Sequence, residues 1–243
     1  MRIAEIKHDI NVLADLLGNW GKYVKNPDLL HKISVVKTGD YISYSIDEPM
    51  FLVFQNFDIE RHAIPHGIEK LDNSEIDRQV KLNVLLEELI SVDNEFDDRV
   101  SRLGLNLIVE VKYFEDSNFK EVYSGFHFDR GDCGMSEFCH PIYHCTYGGK
   151  SLKPFGSELG KLFSNAGPRI IHPPMELVLG VDFVIRNYYK KENHIKITED
   201  PRYTALLKRA HINYWLPYSI AFQKINPSFE VISNLDFKSL KGF

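Results

Sequence analysis

Apolar residues recur at helical spacing from the start of the chain. Ile3, Ile6, Ile10, Leu13, Leu16 and Leu17 fall on one stripe of a 3.6-residue period, which predicts an amphipathic helix over 3–23. Asn26 before Pro27 reads as an N-cap and first helical position, opening a short turn through Leu30. From Tyr41 to Phe54 the residues are aromatic and β-branched, and Asp47-Glu48-Pro49 interrupts them, so a hairpin of two short strands is expected.

Two periods compete in the next segment. Ser74 with Asp77 resembles a capping box, and Leu82, Leu85, Leu86 and Leu89 then form a helical stripe, so a helix is predicted. Val80, Leu82, Val84 and Leu86 also alternate in the manner of a strand. The clearest strand runs through Leu103, Leu105, Leu107, Val109, Val111 and Tyr113. A polar turn at Glu115-Asp116-Ser117-Asn118 should send the chain back antiparallel from Phe119 to Asp129. On that return strand His127 and Asp129 point the same way.

Ile142 to Tyr147 reads as a further short strand, and 151–167 as a loop or lid rich in Gly, Ser, Lys and Pro. Two helices follow. One should start at Pro173-Pro174 and carry Leu177, Val178, Val181, Val184 and Ile185; the other is capped by Asp200-Pro201, runs through Leu206, Leu207, Ala210 and Tyr214, and bends or ends at Pro217. With no repeat and no linker, the pattern predicts one α+β domain: a helical element over 1–33, a sheet-rich centre over 41–149 and a helical part over 173–225. The expected architecture is an antiparallel sheet packed against N-terminal and C-terminal helices.

The 243 residues can bury a core without disulfides or a structural metal. No apolar run reaches the roughly 20 residues of a membrane span, and charges interrupt the N-terminus, so a cytoplasmic protein without a membrane partner is expected. Its three cysteines are expected to be reduced. A net charge of −5 argues against general coating of nucleic acid. Nine acids over 72–98 and seven bases over 186–209 read first as solvated helical faces, and second as surfaces for a protein partner or phosphate.

Chemistry concentrates between Gly125 and Gly149, where three of the ten histidines and all three cysteines occur. Strand alternation puts His127 and Asp129 on one face, and His144 from the neighbouring strand joins them as a two-histidine, one-carboxylate set for a divalent metal ion. His140 and His144 would stand about 13 Å apart on an extended chain, so His140 is placed in the loop as a proton carrier or fourth ligand. Cys139 and His172 are alternative ligands, and Arg130 and Arg169 are candidate clamps for an anionic substrate. His127, Asp129 and His172 also follow the ligand order of a non-haem iron oxygenase, although a helix after His172 conflicts with that fold. Gly148-Gly149-Lys150-Ser151 lacks the glycine, five positions before Gly149, that opens a phosphate loop.

The order GFHFD, then HPIYH followed by GG, then PRIIHPPMELVLGVDFVIRNYY resembles a family of bacterial proteins catalogued only as domain of unknown function 2290. The resemblance covers about residues 100–190. It implies a bacterial source and brings no activity or catalytic residues with it. His-Pro-x-x-His strands in small bacterial toxin and defence proteins provide an analogy only. Three readings fit the residues: a metal-dependent hydrolase, with phosphodiester or nucleotide bonds and a nucleotide or nucleic-acid substrate as the extension; a non-enzymatic interaction or regulatory protein whose histidines fasten strands; and an iron oxygenase using His172.

Overall fold

A computed structural model of the chain describes residues 2–58, 76–93, 97–115, 118–131, 141–148 and 170–225. The first helix, α1 (Arg2–Gly18), buries Ile6, Ile10, Leu13, Leu16 and Leu17, the stripe read from the sequence. It stops at Gly18 rather than Tyr23. A 3-10 turn (Pro27–Lys32) follows, but the Asn26 side chain does not cap it. That amide instead bonds the backbone of Phe51 and Val53 and ties the turn to a strand.

Among the described residues, eight strands form one antiparallel sheet: β1 (Val36–Thr38), β2 (Tyr41–Ile46), β3 (Leu52–Gln55), β4 (Asp77–Leu89), β5 (Val100–Glu115), β6 (Asn118–Arg130), β7 (Tyr143–Tyr147) and β8 (Ile170–Ile171). Their order is β1-β2-β4-β5-β6-β7-β8, with β3 also lying on β4. The fold is therefore α+β, with the sheet at its centre and helices from both ends of the chain packed against it.

The structure corrects two predicted elements. The segment read as a helix at Leu82 to Leu89 is β4, and the period of two prevails: Val80, Leu82, Val84 and Leu86 are buried while Leu85 and Leu89 are partly exposed. Pairing decides between the two periods, because β5 runs along nearly the whole of β4 and supplies a partner that local sequence cannot reveal. Three of the nine acids over 72–98, Asp77, Glu87 and Glu88, thus stand on a strand rather than on a helical face. In addition, β2 and β3 do not pair as a hairpin. Ile46 stands opposite Val84 and Leu52 opposite Leu82, so the two strands lie end to end along β4 with residues 47–51 looped out. Pro49, which has no N–H, lies in that excursion.

Helix α2 (Leu177–Tyr188) begins later than the proline pair suggests. Glu176 is its N-cap and accepts bonds from the Val178 and Leu179 amides. Gly180 brings α2 close to the sheet, since a Cβ there would lie 2.2 Å from Cδ1 of Leu105. Phe183 extends the same contact onto Phe126 and Phe128. A short helix that the sequence reading did not include, α3 (Lys191–Thr198), precedes α4 (Pro201–Ala210), which Asp200 caps as expected. A π turn (His211–Trp215) joins α4 to α5 (Leu216–Ile225), so Pro217 neither ends the helix nor stands in regular α geometry before it. Widening the turn ahead of the ring relieves its clash with the preceding carbonyls.

Where these helices meet the sheet, polar groups are buried in matched sets. Arg2 forms a two-pronged bond to Glu88 at 2.6 and 3.0 Å, and Tyr214 donates to the same carboxylate at 2.9 Å. Tyr44 donates to Glu176 at 3.2 Å, and both line a cavity of about 30 Å³, room for about one water molecule. No described helix is long and apolar enough to cross a membrane.

Candidate functional site

The helices pack on the face of the sheet that carries Leu82, Leu105 and Phe128. Residues at the alternate positions of β4 to β7 turn to the other face, where two cross-strand rows lie side by side. One row is Asn83, Asn106, His127 and Thr146; the next is Leu85, Gly104, Asp129, His144 and Ile171. Register alone places His127 next to Asn106 and Asp129 next to His144.

Contacts follow from that register. His127 Nε2 lies 2.8 Å from Asp129 Oδ2, and His144 Nε2 lies 2.7 Å from Asp129 Oδ1. The carboxylate sits between the two rings and gives one oxygen to each. On their far sides, His127 Nδ1 meets Oδ1 of Asn106, while His144 Nδ1 meets the Pro141 carbonyl at 3.1 Å. Asn106 Nδ2 in turn donates to Asn83 Oδ1 at 2.7 Å. His144 is buried at 2% side-chain exposure, whereas His127 and Asp129 reach solvent at 30% and 24%.

The Pro141 carbonyl has chemical consequences for this cluster. A carbonyl only accepts, so Nδ1 of His144 carries the hydrogen. In the neutral ring, Nε2 then presents a lone pair to a carboxylate oxygen 2.7 Å away. Two electron-rich atoms at that distance repel unless a positive centre, a proton or a metal ion, lies between or beside them. The hydrogen bond from Nδ1 to a carbonyl is also the arrangement that turns Nε2 toward a metal in ligating histidines.

Among the described residues no group of three or more His, Cys, Asp or Glu side chains stands in ready-made metal-ligand geometry. His127, Asp129 and His144 are instead drawn onto one another. Tetrahedral bonds of about 2.0–2.1 Å would separate neighbouring donors by about 3.3 Å, so the ring nitrogens and carboxylate would part by about half an ångström to admit an ion. The donor types fit a borderline divalent cation.

Other candidates lie elsewhere. Arg130, read as a substrate clamp, points to the opposite face because it is one residue beyond Asp129. Its guanidinium stands over the Tyr143 ring at 5.9 Å and bonds the Ser101 carbonyl, so it does not join the cluster. His172 is also on that opposite face, with its ring edge-on to Phe128 at 4.9 Å and Nδ1 bonded to the Pro173 carbonyl. Burial lowers its pKa below the ordinary histidine value. The set His127, Asp129, His172 therefore is not assembled.

His140, Cys139, Arg169 and the proposed lid over 151–167 lie outside the described residues. Cys145 packs against the core on the face away from His144, and burial pushes its thiol up to about 11, so it is no thiolate at neutral pH. In the basic run, Arg186, Arg202 and Arg209 are paired with Asp182, Asp200 and Asp9, as expected of a solvated charged face.

Sequence reasoning missed Asn83 and Asn106. Asparagine is depleted in strands, so its appearance at corresponding outward positions of two long neighbouring strands was the available signal. Gly104, opposite Asp129, has nothing within 4 Å of where a Cβ would be and leaves space beside the carboxylate. No protein-family model, curated protein or solved structure matches the chain.

Proposed function

We propose that the chain is a metal-dependent hydrolase in which Nε2 of His127, the Asp129 carboxylate and Nε2 of His144 hold one divalent cation. The observation that carries this reading is the Nδ1 hydrogen bond of His144 to the Pro141 carbonyl, which turns a ring lone pair onto Asp129 Oδ1 at 2.7 Å. When bound, such a cation lowers the pKa of a ligated water and polarises the bond to be hydrolysed. His144 supplies a buried ligand, and the Pro141 carbonyl fixes its tautomer. His127 and Asp129 supply the solvent-facing side, and the space above Gly104 gives a small substrate group access to Asp129. His140, adjacent in sequence to Pro141, is the proposed proton carrier. Extension to phosphodiester or nucleotide bonds loses the support of Arg130, which is engaged on the other face.

Metal titration tests the reading. The purified protein, stripped and then titrated calorimetrically with Zn²⁺, Mn²⁺ and Co²⁺, should take up one equivalent of at least one cation, and His144→Ala should abolish uptake. Lack of stoichiometric uptake of all three would refute it.

One observation favours a second, non-enzymatic reading: all four ring nitrogens of the two histidines already have protein partners. With His144 protonated, the cluster is a charged clamp between β6 and β7. In that case the same titration shows no uptake, while His144→Ala still lowers the melting temperature.

A further inference from the structure

We infer that Asn106, braced by Asn83, is a positioning residue that fixes which nitrogen of His127 carries the proton. This rests on the metal-site reading for its functional consequence, but its structural content stands apart from it. The two histidines of the cluster face the same requirement and meet it differently. His144 uses the Pro141 carbonyl, a backbone group that cannot reverse its polarity. His127 lies in mid-strand, where the backbone carbonyls serve the ladder, so a side chain must supply the acceptor.

Register provides one. Asn106 stands directly opposite His127 on β5, and its Oδ1 contacts Nδ1 of that ring. A primary amide is ambivalent, because rotation by half a turn would present its NH₂ group and make Nδ1 the acceptor. Asn83 opposes that rotation. It lies across from Asn106 on β4, is 7% exposed, and accepts from Asn106 Nδ2 at 2.7 Å through its Oδ1. Rotating Asn106 would set oxygen against oxygen unless Asn83 rotated too. The pair thereby holds Oδ1 on His127, Nδ1 protonated and Nε2 directed at Asp129. Four residues on three strands, Asn83, Asn106, His127 and Asp129, form one line of polar contacts ending at the carboxylate, and with Nδ1 protonated the last of them, Nε2 to Asp129 Oδ2 at 2.8 Å, is the place for a cation or a second proton.

Long-range ¹H–¹⁵N spectra of the histidine side chains, with Zn²⁺ titrations, test the assignment on the full chain. Wild type should show a protonated Nδ1 on His127. Asn106→Leu should shift that ring to the Nε2–H tautomer and weaken Zn²⁺ binding by about 10–100-fold, the usual effect of losing such a partner. Asn106→Asp, which can only accept, should restore both the tautomer and the affinity, whereas a merely structural asparagine would not be rescued this way. Asn83→Leu should give a mixture of tautomers. An unprotonated Nδ1 in folded wild type overturns the inference whatever the metal result, as does an unchanged His127 tautomer in folded Asn106→Leu. Failure of wild type to bind Zn²⁺, Mn²⁺ or Co²⁺ while the tautomer shifts with Asn106 would defeat the hydrolase reading and leave this one standing.

Discussion

Asp129 on β6 and His144 on β7 stand directly opposite each other in the ladder, and their side chains meet at 2.7 Å. One carboxylate thus joins a buried imidazole to a solvent-facing one across neighbouring strands. Asp129→Ala should remove cation uptake altogether, because it takes away the ligand both rings converge on. Arg130→Ala, one residue away but on the other face, should leave uptake within about twofold of wild type. Calorimetric titration of the two variants side by side separates a face-specific site from a general loss of charge.

Removal of Glu88 should be costly. Its carboxylate is fully buried and holds both prongs of the Arg2 guanidinium as well as the Tyr214 hydroxyl. Glu88→Gln leaves a largely buried cation with only the half-exposed Glu5, 3.8 Å away, as counter-charge, and loss of one partner of a buried pair costs about 3–5 kcal/mol. Urea denaturation should show that loss; a change below about 1 kcal/mol would mean that water or another acid replaces Glu88.

Stability should depend on pH through Glu176. Burial is the main cause that pushes its carboxyl up to about 7 from an ordinary 4.5, against the opposing bonds from the Val178 and Leu179 amides and Tyr44. A raised folded pKa means that the folded state holds the proton more tightly, so this contribution is complete below about pH 4.5 and is lost as pH rises through about 7. The difference is of the order of 3 kcal/mol. Denaturation at pH 5 and pH 8 should show a smaller fall for Glu176→Gln, which keeps an oxygen for the cap, than for wild type. Parallel pH profiles would rule out the shift.

Close approach of α2 to the sheet leaves no room at Gly180. A side chain there meets Leu105 at 2.2 Å from Cβ and Leu82 at 3.4 Å. Gly180→Val should therefore destabilise by about 1–3 kcal/mol through overpacking, although leaving glycine ordinarily favours a helix. Gly180→Val with Leu105→Ala should recover part of that loss. Thermal melts of the single and double variants would reveal the coupling, and simple additivity would contradict it.

Local sequence determined most of the elements. The stripe from Ile6 to Leu17, the alternation from Leu103 to Tyr113, the shared face of His127 and Asp129, and the Asp200 cap are all set by residues a few positions apart, where backbone geometry converts spacing into direction. Alternation also separated His144 from Cys145. Such arguments reach only as far as one element.

Tertiary structure decided what spacing left ambiguous or could not contain. Leu82 to Leu89 suits either period, and only the length of its pairing with β5 made it a strand. Which face of β6 meets the helices, and hence that His172 is lost to the cluster, depends on packing against Phe183 and Phe128, whereas alternation alone turns Arg130 away from Asp129. Strand register, a relation between residues 15 to 23 positions apart, set Asp129 against His144 and built the line through Asn106 to Asn83. The sequence could nominate two histidines and a carboxylate. The rarity of asparagine in strands could single out the two asparagines but not their role, which exists only where three strands lie side by side.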